Sequence, residues 1–104
     1  MIYYVMKPEE WLSVREEDEY WPENFDELGY IPCAEPGQLE LLIKDLGFEN
    51  SRSLYVLKID PQQIESVIIY EDVFERGMMF PHVYGYINSD AVTDTELIEP
   101  CPAS

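Results

Sequence analysis

Between Pro36 and Gly47 the chain carries a single apolar stripe that demands a helix and a sheet to cover it. Leu39, Leu42, Ile43 and Leu46 fall at i, i+3, i+4 and i+7, the spacing of one helical face. Pro36 suits the first helical turn and Gly47 suits the position just past the last, so the pattern predicts a helix over 36–46. A stripe this narrow is stable only when buried against another element. The run Leu54-Tyr55-Val56-Leu57-Lys58-Ile59, rich in β-branched and aromatic residues, is the strongest strand signal and supplies that surface.

The remaining punctuation yields short elements of both kinds. Ile2 to Val5 reads as a first strand buried on both faces, and Pro8 with Glu9 and Glu10 opens a short helix ending near Glu16. Glu16 to Glu27 reads as an acidic loop in which Tyr20, Trp21, Pro22 and Phe25 sit among the charges and pin it to the body. Gly29 to Ala34 is an extended segment, and Pro32, with no N–H to donate, places it at a sheet edge or strand end. Asp60-Pro61-Gln62-Gln63 has the form of a cap on a single helical turn. Val67–Tyr70, Phe80–Asn88 and Ala91–Ile98 are further strands, with Asn88-Ser89-Asp90 as a turn. The expected class is α+β: small antiparallel sheets with two or three short helices, one domain over 1–99 and a short exposed tail at 100–104.

Charge narrows the partners. Twenty-two acidic residues against six basic ones give a formal net charge of −16. Such a field repels phosphate backbones and anionic membranes and attracts a basic protein, besides favouring solubility. Direct nucleic-acid and membrane binding are therefore not expected. Cys33 and Cys101 form no metal-ligand or redox motif, and no charged-then-apolar leader stands at the start. Reduced, unlinked thiols and a cytoplasmic location are the expectation.

Few residues offer chemistry. His82 is the one histidine, in Phe80-Pro81-His82-Val83-Tyr84-Gly85-Tyr86, and is the side chain whose ordinary pKa lies near neutrality. It reads either as half of a His82–Tyr84 pair lining a ligand pocket or as a structural hydrogen-bonding residue. Cys33 has no basic neighbour in sequence to activate it as a nucleophile. Phosphate loops, zinc signatures and nucleophile elbows are absent from the sequence, and the acidic loop lacks the spacing of a calcium loop.

In order and spacing these pieces are familiar: Ile2-Tyr3-Tyr4-Val5, Trp11, Tyr20 with Pro22, Leu28-Gly29-Tyr30-Ile31-Pro32-Cys33-Ala34, Leu54 to Pro61, and Phe80-Pro81-His82-Val83-Tyr84-Gly85 with Asp90-Ala91-Val92. The chain resembles the uncharacterised bacterial domain-of-unknown-function family 952 over nearly its whole length. That resemblance implies a miniature ADP-ribosyltransferase-like fold, in which a cleft between two small sheets holds NAD, and so makes NAD or a related nucleotide the candidate cofactor or ligand. It also marks three departures. The resemblance implies histidine where Tyr4 and Pro32 stand, and a hydroxyl where Ala34 stands. The ligand-binding candidates carried over are Tyr4, Cys33, His82 and Tyr84, with His82 the candidate catalytic residue and no metal ligand among them.

The leading expectation is a non-catalytic or divergent acidic binding module. The alternatives are an active enzyme on NAD or an ADP-ribose-like nucleotide, and an acidic mimic of nucleic acid that blocks a basic protein groove.

Overall fold

The computed structural model describes residues 1–22, 25–48, 50, 52–72 and 75–99. The expected tail, with Cys101 in it, lies outside them. In chain order come β1 (Ile2–Met6), α1 (Pro8–Val14), β2 (Glu19–Tyr20), α2 (Phe25–Leu28) and β3 (Ile31–Pro32). A 3-10 turn (Pro36–Gln38) then runs into α3 (Leu39–Asp45). β4 (Leu54–Ile59), β5 (Val67–Glu71), β6 (Phe80–Tyr84) and β7 (Ile87–Asn88) follow. A second 3-10 turn (Ser89–Ala91) leads into β8 (Val92–Ile98).

β4 is the centre of an antiparallel sheet ordered β1-β4-β8, and β6 is the centre of a second ordered β3-β6-β5. β2 and β7 pair as a short ribbon. The two larger sheets meet where Tyr3 and Ala34 exchange backbone hydrogen bonds, N–H to O at 2.7 and 2.9 Å. This is the α+β class of small antiparallel sheets and short helices read from the sequence.

Both faces of the β4 sheet are covered, which is why β1 and β4 read as near-continuous apolar runs. On one face Ile2, Tyr4, Met6, Leu57 and Ile59 pack with Ile31, Cys33, Val83 and Ile87. On the other, Val5, Leu54 and Val56 meet Leu42 and Ile43 of α3, with Ala34 and Phe80. Leu39 and Leu46 flank that contact half-buried, so the leucine stripe faces the sheet as its spacing requires. Burying each such side chain fully contributes about 1.5–3 kcal/mol. Gly47 closes α3 at φ +76°, a conformation that side chains with a Cβ rarely adopt.

Three local expectations change. The acidic loop holds β2 and α2, and its aromatics anchor it: Tyr20 is in the core, and Trp21 packs edge-on to Phe25 at 5.0 Å and against Tyr86 at 5.6 Å. The strand expected over Phe80–Asn88 breaks after Tyr84, and β7 changes partner from β5 to β2. The break needs Gly85, because a Cβ there would stand 2.5 Å from the Ser66 hydroxyl, which donates to the Tyr86 carbonyl at 2.7 Å. The Asp60 cap forms, with the Gln62 N–H donating to its carboxylate at 2.9 Å, yet a turn rather than a helix follows. Asn88 captures the backbone that a helix would use, donating to the Gln63 carbonyl and accepting from the Glu65 N–H at 3.0 and 2.9 Å. Among the described residues no helix is long and apolar enough to cross a membrane.

Candidate functional site

Strand alternation decides what each candidate side chain can reach. Tyr4 shares the β1 face of Ile2 and Met6, so its ring is buried and packs 6.0 Å from the ring of Tyr20. The Tyr20 hydroxyl donates to the Glu10 carboxylate of α1. Its single hydrogen is thereby used. Burial pushes both phenols well above their ordinary range, Tyr20 further raised by Tyr4 and Glu10. Cys33 is a free thiol in the same cluster, wholly buried, and burial raises it far above the usual thiol range. Neither group can ionise at neutral pH.

His82 and Tyr84 stand on the opposite face of the fold from that cluster. In β6 they alternate with Val83, which faces the core. His82 Nδ1 lies 3.0 Å from a Glu71 carboxylate oxygen of β5, and the Tyr84 hydroxyl donates to that same oxygen. A carboxylate only accepts, so Nδ1 carries the hydrogen in this pair. Tyr30 covers the imidazole, stacked at 4.2 Å and 11°, leaving His82 only 5% exposed. Hydrogen bonds from Tyr84 and then His82 hold the Glu71 carboxyl below its usual range, and the bond to Glu71 leaves the Tyr84 phenol pushed up to about 12. His82 and Tyr84 are thus joined through Glu71. Pro32 pairs with His82 across the strands, so a histidine at that position would stand beside His82, whereas one at position 4 would face the core.

A cavity of about 300 Å³ opens elsewhere, between α1, β4 and β8. Trp11, Leu57 and Ile87 give it apolar walls, while Arg15, Glu17 and Asp94 bring both signs of charge. None of Tyr4, Cys33, His82 or Tyr84 lines it; Tyr20 does, and is the link from Tyr4 to this space.

The outer edges of the two sheets also differ. β8 ends the β4 sheet with Asp94 and Glu96 on it, and Lys58 of β4 reaches Glu96 at 3.8 Å. β5 ends the β6 sheet with the uncharged run Val67-Ile68-Ile69-Tyr70. Val67 is 62% exposed and Ile69 44%, and Tyr84 continues the patch across β6. Ile68 turns the other way and packs on the core.

Sequence reading missed Glu71, Tyr30, Tyr20 and Glu10. The partners of Glu71 depend on the β5–β6 register, and those of Tyr20 on how α1 lies over the ribbon. Tyr20 did carry one signal, an aromatic inside an acidic run.

An α+β chain built from two small antiparallel sheets joined at a β1 bridge is the class this geometry defines. Within that class, the chain belongs to the family described as Protein of unknown function (DUF952), whose model matches residues 5–95. No curated protein matches it. Its fold is similar to that of protein CC0527 from Caulobacter crescentus, with a TM-score of 0.80 at 18% identity over 94% of this chain and 85% of that one. A double mutant of CC0527 gives 0.79 over the same shares. At this identity the likeness is one of fold.

Proposed function

We propose that this chain is a non-catalytic, divergent member of its family, acting as an acidic binding module that docks an extended basic segment of a partner protein along β5. The observation that carries the reading is the outer edge of β5, with which no strand pairs among the described residues. Folded proteins ordinarily blunt an edge strand with charge, proline or a covering element, because its free N–H and C=O groups invite another strand. β8 sets Asp94 and Glu96 beside its exposed Leu97, while β5 exposes Val67, Ile69 and Tyr70 with no charge among them. Carboxylates stand at both its ends, Glu65 before it and Glu71 with Asp72 at its close. An added strand would gain backbone hydrogen bonds from the edge and specificity from alternate side chains. Apolar residues would lie over Val67 and Ile69, and lysine or arginine would meet the flanking carboxylates within the −16 field.

The non-catalytic half of the reading rests on separation. An enzyme needs polar groups converging on one pocket at tuned pKa values. Here Tyr4 and Cys33 are buried with raised pKa values, while His82 is bound by Glu71 and covered by Tyr30. The family's resemblance to ADP-ribosyltransferase-like folds enters as the ancestry of the scaffold. On this reading the NAD chemistry it implies has been lost with the residues at positions 4 and 32.

Calorimetric titration with a short synthetic peptide alternating lysine and valine tests the docking. Ile69→Lys should weaken binding at least tenfold, about 1.4 kcal/mol. Leu97→Lys on β8, which changes the net charge equally, should not. Equal losses would reduce the binding to general electrostatics. Incubated with NAD, the protein should release no nicotinamide above a blank. Turnover that disappears in His82→Ala would establish an enzyme instead.

A further inference from the structure

We infer that the cavity between α1, β4 and β8 is a binding site for a zwitterionic, amino-acid-sized molecule with an aromatic or aliphatic side chain. The site is separate from the β5 edge and does not depend on that reading.

Four observations converge. At about 300 Å³ the cavity stands at the low end of the roughly 300–1,000 Å³ usual for small-molecule sites, so it suits a compact ligand rather than an extended dinucleotide. Its apolar walls include the Trp11 indole, Leu57 and Ile87, which suit a ring or branched chain. The Arg15 side chain lines the space without a hydrogen-bond or ion-pair partner among the described residues, although Glu17 and Asp94 line the same cavity. One Asp94 oxygen accepts the Thr95 N–H at 2.8 Å, which holds the carboxylate in place and leaves capacity for a second donor.

An arginine that does not pair with carboxylates on the same cavity leaves two complementary sites open at once. The guanidinium fork matches a carboxylate bidentately, and the acidic groups match an ammonium. Overall charge favours a ligand that carries both. A simple anion must enter against a field of −16, and a simple cation leaves Arg15 facing it. An α-amino acid presents an ammonium and a carboxylate on one carbon and projects its side chain away, towards the apolar walls.

Three probes separate the contributions: L-phenylalanine, 3-phenylpropionate without the amine, and 2-phenylethylamine without the carboxylate. Titrated into the ¹⁵N-labelled full chain, L-phenylalanine should perturb the Trp11 indole and the Asp94 and Thr95 amides and saturate at millimolar concentration. Each single-headed analogue should bind at least tenfold more weakly. Arg15→Gln should weaken L-phenylalanine at least tenfold and leave 2-phenylethylamine bound as tightly as before or tighter. Asp94→Asn should give the mirror result with 3-phenylpropionate. Both positions are exposed, and an unchanged thermal midpoint verifies that each variant is folded. The inference is overturned if either analogue equals L-phenylalanine, if Arg15→Gln weakens all three probes alike, or if L-phenylalanine perturbs no cavity residue.

Discussion

Against the β4 sheet Tyr4 packs on Tyr20, which donates to Glu10, and the outer edge strand β8 bears Asp94 and Glu96. In the β6 sheet the same kinds of group gather near the surface, where Glu71 holds Tyr84 and His82, and the outer edge strand β5 bears Val67 and Ile69. Burial makes the first network structural, since a buried hydroxyl must keep its partner. Solvent reaching Glu71 and Tyr84 makes the second weaker, with His82 its one buried member. The edges differ in the same sense: one is closed to other chains by charge, the other is open. The β4 sheet therefore centres the core, and on the proposed function the β6 sheet presents the docking surface.

The largest effect should separate the two networks. Tyr20→Phe removes the part-buried hydrogen bond to the Glu10 carboxylate and should cost about 1.5–3 kcal/mol in urea unfolding. Tyr84→Phe should lower the unfolding midpoint much less, because that hydroxyl and its Glu71 partner are solvent-exposed. Comparable losses in both would erase the distinction between them.

Next in size is self-association. At low salt the −16 charge keeps copies apart. At 1 M salt, where screening acts beyond about 3 Å, the bare β5 edges should begin to pair. Sedimentation should then show concentration-dependent dimers of the wild type and of Leu97→Lys, with Ile69→Lys monomeric. Dimers of Ile69→Lys would place the open edge elsewhere.

The smallest effect is a pH dependence confined to the β6 sheet. The Glu71 carboxyl is held below its ordinary value of 4.5, so its stabilising contribution is present above that pH and is lost as pH falls through the lowered value. The Tyr84 phenol is raised from 10.0 to about 12, so its contribution is complete below 10.0 and is lost as pH rises through about 12. Glu71→Gln should remove the acid-side contribution. It should also bring the phenolate absorbance of Tyr84 back towards the ordinary range. Unchanged tyrosine titration in that variant would mean that Glu71 does not hold Tyr84 in solution.

The parts legible in the sequence were those whose pattern is local. β1 and β4 are apolar on both faces because both faces are covered, and α3 carries its stripe because one side alone is buried. β2 and β7 were not legible, for each has only two residues and exists through the other, far along the chain. The break at Gly85 depends on Ser66 standing opposite. The site followed the same rule. His82 and Tyr84 stood out by residue type, but Glu71 joins them only through the β5–β6 register. Tyr4 and His82 shared a list by resemblance, and strand alternation sends them to different faces. Arg15 showed no signal in sequence, because a cavity is a property of elements brought together.

Amide hydrogen exchange along β5 tests the central claim most directly. The free edge of that strand should exchange quickly in the isolated protein, and the alternating lysine–valine peptide should slow its outward N–H groups while leaving β8 unaffected. Ile69→Lys should abolish that protection. Peptide binding with unchanged exchange along β5, or with equal protection of β8, would contradict the account and leave only a diffuse attraction to an acidic surface.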